Sequence, residues 1–290
     1  MKKILLIILL VIFLIGGFLI FQKIITQPET KLKEITEEDF NKKIVILMYH
    51  GLVKDSEVDE EKFKLGYEGA PYLYTRKESQ FLSDMEYIKN MGYEVISLYD
   101  LLEIKNKKRN LYNNAVIITF DDGSQSQYDI AFPILKKHGF KATFFIITNR
   151  PGGEGYMSWE ELREMAEYKD ENNKSLFDIE SHSHTHLPLP SKDEMGKWKE
   201  VVLFELQTSQ SLIEKETGKT SRFLALPGAG SWGRGDEDFI GLAKESGYFG
   251  IRMWLRETVD MFSDIYQLSS YPVLNKTETP VPLEKWFEFE

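Results

Sequence analysis

No cysteine occurs among the 290 residues. Disulfides, thiolate nucleophiles and zinc–cysteine sites are excluded, so any metal must be held by His, Asp or Glu. Positive charge is also in deficit: 36 Lys and Arg stand against 46 Asp and Glu, a formal charge of −10. That balance argues against recognition of nucleic acid by phosphate neutralisation. Internal repeats, low-complexity tracts and an obvious internal domain boundary are missing too. Histidine is scarce, five residues in all, and none follows His186. What is present, 42% apolar and 13% aromatic residues, is ordinary for a globular chain with a substantial core.

Ile4 to Phe21 has no polar side chain: 18 apolar or glycine residues run between Lys3 and Gln22. The run is near the lower limit for a membrane-spanning helix and longer than a usual signal-peptide core. Lys2 and Lys3 favour a cytoplasmic N-terminus. The expectation is a signal anchor or transmembrane helix over 1–23, a polar stalk over 24–42 and an exported domain over 43–290. The chain is then a single-pass protein of the cell membrane with its body outside. A cleaved signal peptide is the alternative, and it exports the same body.

Short apolar runs alternate with helical patterns along that body. Strands are expected at Lys43–Tyr49, Glu94–Leu98, Ala115–Phe120, Ala142–Ile147, Phe177–Ser181, Phe223–Leu226 and Tyr248–Arg252. Helices are expected at Lys77–Met91, from Leu101–Leu102, and at Ile130–His138, Ser158–Tyr168, Lys197–Thr217 and Glu237–Ser246. Glu57–Tyr74 and Lys169–Ser175 read as surface loops. Alternation of this kind makes a parallel sheet with crossover helices, and about seven units favour a barrel over an open sheet.

The chemistry sits just after the strands. His50 follows the first, and Asp121, Asp122 and Gly123 follow Ala115–Phe120. His182, His184 and His186 follow Phe177–Ser181, and Pro227 and Gly228 follow Phe223–Leu226. Strand C-termini of a parallel α/β fold share one face, where active sites are built. Four of the five histidines and an Asp pair therefore converge; His138, ahead of Gly139, reads as a surface helix end. One Asp and two His make a three-ligand metal site with open positions. His182 and His186, four apart, suit one compact turn. The division of labour between the crowded carboxylates is Asp122 as ligand and Asp121 as general base.

At these residues the chain resembles the polysaccharide deacetylase family, the NodB-homology domain of carbohydrate esterase family 4. Thr119-Phe120-Asp121-Asp122-Gly123 and His182-Ser183-His184-Thr185-His186 match its first two motifs. Ile46-Leu47-Met48-Tyr49-His50 is similar to the branch of poly-N-acetylglucosamine deacetylases. The resemblance implies a distorted (β/α) barrel and a divalent metal, usually Zn2+. It also implies hydrolysis of acetamido groups on an extracellular or cell-wall amino-sugar polymer. O-acetyl glycan esterase activity and a non-catalytic glycan-binding role are the alternatives. Two family features are absent: Ala225-Leu226-Pro227-Gly228 lacks the third motif's base-orienting arginine, and no late histidine exists. His50 is then the leading proton donor and His184 the second. Pro227 and Gly228 are candidates for the substrate and oxyanion side, and Tyr49, Trp232 and Leu268 for shaping the acetyl or sugar site.

Overall fold

A computed structural model describes residues 41–60, 63, 72–186, 197–228 and 236–288. The expected anchor over 1–23 and all but the end of the 24–42 stalk lie outside the described residues. Among the described residues no helix is long and apolar enough to cross a membrane.

The chain runs β1 (Ile44–Tyr49), β2 (Gly51–Val53), β3 (Thr75–Lys77), α1 (Glu78–Asn90), β4 (Glu94–Val95), α2 (Leu98–Lys105), β5 (Ala115–Phe120) and α3 (Phe132–His138). It continues with β6 (Ala142–Ile146), α4 (Trp159–Glu167), β7 (Phe177–Ser181), α5 (Trp198–Thr217), β8 (Phe223–Ala225) and α6 (Glu237–Glu245). Last come β9 (Gly250–Met253), β10 (Leu268–Ser269), β11 (Tyr271–Pro272) and α7 (Leu283–Glu288). The main sheet is parallel, in the order β10-β9-β8-β7-β6-β5-β1-β11, with β4 also on β5. Its two outer members, β10 and β11, are consecutive in the chain and separated only by Ser270. One extended segment thus pairs with β9 by its first half and with β1 by its second, which brings the sheet round into a barrel. β2 and β3 form a separate two-stranded sheet.

Strand alternation sorts the side chains. Val45, Leu47, Tyr49, Val116, Ile118, Phe120 and Phe144 join the helix residues Phe81, Met85, Phe132 and Leu162 in an outer layer. The opposite phase, Ile44, Ile46, Ala115, Ile117, Phe145, Phe223 and Leu268, packs together inside, with Leu98, Leu101 and Ile104 of α2. Lys141, just before β6, pairs with Asp100 of α2 at 2.6 Å, so α2 covers the N-terminal end of the barrel. The inward phase continues upward through Met48 to His50, Thr119 to Asp121, Glu180 to His182, and Arg252 to Trp254.

Local chemistry sets the element ends. Ser158 Oγ accepts from Glu161 N, and the Glu161 carboxylate accepts in return from Ser158 N, the expected capping box. A second such box at Ser97 and Asp100 starts α2 at Leu98, three residues before the expected start. The expected helix from Ile130 is preceded by a π-turn, Gln127–Ala131, and the α-helix itself begins at Phe132. Lys169–Ser175 is an exposed turn closed by a bridge between its two ends, as expected.

Candidate active site

Asp121 sits one residue beyond β5, where its N–H donates to Tyr49 O at 2.9 Å and so extends the ladder. Asp122 and Gly123 then both adopt positive φ, 73° and 80°. A Cβ on Gly123 would meet Ile146 Cδ1 at 3.1 Å in a left-handed backbone, so only glycine fits. The turn takes Asp122 out of strand phase and brings both carboxylates onto one rim. Gln127, in the π-turn, donates to His50 O at 3.1 Å and to Asp121 O at 2.5 Å, holding the ends of β1 and β5 together.

The histidine loop is built with equal economy. His182 N donates to Ile146 O at 2.9 Å, and Ser183 and His186 take positive φ, 62° and 60°. Buried Glu205 on α5 accepts from His184 N at 2.9 Å, Thr185 N at 2.7 Å and Thr185 Oγ1 at 2.6 Å. Ser183 Oγ accepts from His186 N at 3.1 Å. The result sets the His182 and His186 rings 4.8 Å apart.

One donor atom from each of Asp122, His182 and His186 lies within 4.8 Å of the others. Asp122 Oδ1 is 3.4 Å from His182 Nε2 and 3.6 Å from His186 Nε2. Ala225 O can only accept, so its 2.9 Å contact makes His182 Nδ1 the donor and leaves Nε2 free as a ligand. Burial alone would raise the Asp122 carboxyl, but the His182 hydrogen bond and the three nearby imidazoles hold it well below the usual carboxylate range. Burial alone would lower His182, yet Asp121 and Asp122 hold it above the ordinary imidazole value. His186 is lowered, by burial first and then by His182. Three converging donors, one of them a firmly ionised carboxylate, fit a divalent cation.

Arg252, pointing inward from β9, donates to Asp121 Oδ1, and both side chains are almost wholly buried. The base-orienting arginine that Ala225–Gly228 lacks is supplied from the next strand. The other oxygen, Asp121 Oδ2, faces His50 Nε2 and His182 Nε2, each at 3.9 Å. His50 Nδ1 is buried with no partner among the described residues, and the His50 ring lies 4.8 Å from Tyr74.

These groups line a cavity of about 220 Å³ with Met48, Tyr74, Leu226, Gly228 and Trp254. Asp121, Asp122, His50, His182, His186 and Gly228 therefore meet as expected, and Pro227 is not part of the lining. Tyr49 corrects an expectation. It is fully buried in the outer layer, stacked on Phe120 at 5.4 Å, and its hydroxyl donates to Asp84 at 3.0 Å. With His50 facing inward, alternation turns Tyr49 outward and brings Met48 to the cavity instead. Leu268 is likewise buried in the inner core, away from the lining. His184 turns away: its Nδ1 lies 3.0 Å from Thr148 Oγ1 and its ring packs on Phe204. Trp232 lies outside the described residues. His138 ends α3 as expected, before a left-handed Gly139.

Two carboxylates and three imidazoles thus share one mouth of the barrel, and residues 108–250 match the polysaccharide deacetylase family. That segment is a polysaccharide deacetylase domain of the NodB type. Among the chain's relatives is the poly-beta-1,6-N-acetyl-D-glucosamine N-deacetylase of Staphylococcus aureus, 31% identical over 182 residues, 60% of this chain and 59% of the relative. YxkH of Bacillus subtilis is 26% identical over 206 residues, 71% of this chain and 62% of the relative. The chain thus spans about three fifths of the length of these curated relatives. The deacetylase PplD of Streptococcus pyogenes, solved with acetate, shares the fold at a TM-score of 0.69 and 21% identity, over 85% of this chain and 99% of that one.

Proposed function

We propose that the protein is a metal-dependent hydrolase that removes N-acetyl groups from an amino-sugar polymer outside the cell or in its wall. The observation that carries this reading is the pairing of two half-sites in one cavity. Asp122, His182 and His186 converge as a ligand set, while Asp121, tied to Arg252, presents its free oxygen beside them. The Staphylococcus aureus relative's name and the polysaccharide deacetylase match support the same class of substrate.

Asp122 Oδ1, His182 Nε2 and His186 Nε2 would hold a divalent ion, zinc being our choice, which supplies Lewis acidity toward water and the acetyl carbonyl. Asp121 Oδ2 takes a proton from the attacking water as the new C–O bond forms. Arg252 fixes the oxygen that is not used. The backbone N–H at Gly228, on the cavity wall, is the candidate donor to the oxyanion. His50 protonates the sugar nitrogen as the C–N bond breaks, giving acetate and a free amine. Burial, the largest influence on it, holds the His50 pKa below the ordinary imidazole value, so the protonated ring is a strong donor. Asp121 then returns its proton to His50, whose Nε2 lies 3.9 Å away. The anchor expected over 1–23 would hold this activity at the membrane surface.

The test is acetate release from N-acetylglucosamine oligomers with added zinc, with chelator and with Asp121→Asn. Metal-dependent release lost in Asp121→Asn is expected. Release from O-acetylated glycans alone would replace this reading with the esterase, and glycan binding without any release would replace it with a binding protein.

A further inference from the structure

A second cavity, of about 540 Å³, is lined by Arg256, Tyr271, Leu274, Lys276, Thr277 and Trp286. All of these residues lie beyond residue 250, where the family match ends. Arg256 follows the C-terminal end of β9; Leu274, Lys276 and Thr277 follow that of β11, so four of the six emerge on the catalytic face. One contact joins the two linings. Trp254 lines the catalytic cavity, and the Arg256 guanidinium lies 6.0 Å over its ring.

The lining has the chemistry of a sugar site. Tyr271 and Trp286 stack with centroids 4.6 Å apart and planes 15° apart, giving an aromatic wall. Tyr271 is 5% exposed, and its buried hydroxyl has no hydrogen-bond partner among the described residues. A native fold rarely leaves such a group unsatisfied unless something else satisfies it. Arg256 and Lys276 are exposed and form no ion pair among the described residues, in a chain of net charge −10. The carboxylates alongside are engaged: Glu278 holds Lys285 at 2.7 Å, and Glu257 accepts from Ser269 Oγ at 3.3 Å. Apolar ring faces pack on an aromatic wall, hydroxyl and carbonyl oxygens accept from Arg and Lys, and a sugar ammonium is repelled by both cations.

We propose that this cavity is a second sugar subsite that holds an N-acetylated unit of the same chain whose acetamide is cleaved at Asp121, and that Arg256 and Lys276 turn away a unit already deacetylated. The inference rests on the deacetylase reading above. It makes the enzyme select acetylated stretches and slow as its own cationic product accumulates.

The experiment measures binding of N-acetylglucosamine pentamer and glucosamine pentamer to the Asp121→Asn protein, where no turnover occurs, beside acetate release by the active enzyme. The acetylated pentamer is expected to bind at least about tenfold more tightly, a preference that salt weakens. Tyr271→Phe keeps the ring stack and is expected to weaken pentamer binding about fivefold by removing one hydrogen-bonding group. Arg256→Gln with Lys276→Gln is expected to admit the glucosamine pentamer and erase most of the preference. In the active enzyme the same changes alter KM for the pentamer and leave turnover of the N-acetylglucosamine dimer as it was. Unchanged binding of both pentamers in all variants, or no pentamer binding to begin with, overturns the subsite. Absence of acetate release from every N-acetylated glycan instead overturns the deacetylase reading, and the binding arm still decides the subsite.

Discussion

Arg252 reaches from β9 across the barrel interior to Asp121 at the end of β5, and each side chain is at most 4% exposed. Breaking a buried pair strands the remaining charge. Arg252→Ala is expected to cost about 3–5 kcal/mol of stability and to lower kcat by about 100-fold or more. Arg252→Lys keeps the charge and loses the fork, so it is expected to recover stability better than rate. Chemical denaturation and acetate-release kinetics on the two variants separate these effects.

His50→Gln is expected to lower kcat by about 100- to 10,000-fold, the range for a lost general acid. Zinc stoichiometry, measured by elemental analysis, is expected to stay as in the parent, because His50 is not among the three converging donors. Loss of zinc in His50→Gln would move this residue into the ligand set.

Asp122→Asn and His186→Ala are expected to lose zinc, with activity falling in step. His182 is held above the ordinary imidazole value, so of the two ligand imidazoles it is the one whose protonation competes first with the metal as pH falls. The sign follows: lowering pH through the His182 titration protonates the ligand, so zinc affinity falls with falling pH and recovers as pH rises. Calorimetry in buffers of different ionisation enthalpy reads both the affinity and the proton released.

Glu205 never enters the cavity, yet its carboxylate gathers His184 N, Thr185 N and Thr185 Oγ1. Glu205→Gln replaces one of the two accepting carboxylate oxygens with an amide nitrogen and is expected to cost about 1–3 kcal/mol. Because His186 hangs on the same loop, zinc affinity is expected to fall too, although no ligand has changed. Thermal unfolding with and without zinc tests the coupling.

Much of this site was legible in the chain because its chemistry is local. The Asp121–Asp122–Gly123 turn and the His182–His186 loop carry their ligands within a few residues and lie directly after apolar strands. Arg252 was not legible, since a lone arginine in Tyr248–Arg252 makes no motif and its partner is 131 positions away. The place of Tyr49 follows from strand alternation: an inward His50 commits Met48, not Tyr49, to the same face. In the fold, β2, β3, β10 and β11 escaped notice because two- and three-residue strands carry too little periodicity to separate from loop. Their pairing is set by the barrel around them.

The segment from Leu268 to Pro272 is the barrel's seam, two residues sewn to β9 and two to β1. Seams of this size open first, so its amides are expected to exchange with solvent before those of β5 and β6. Arg252 spans the seam from within, touching Met48 of β1 at 2.7 Å through Sδ while it holds Asp121. It is a cross-brace as much as an electrostatic partner, and the joint that shuts the barrel and the joint that arms the base share one side chain.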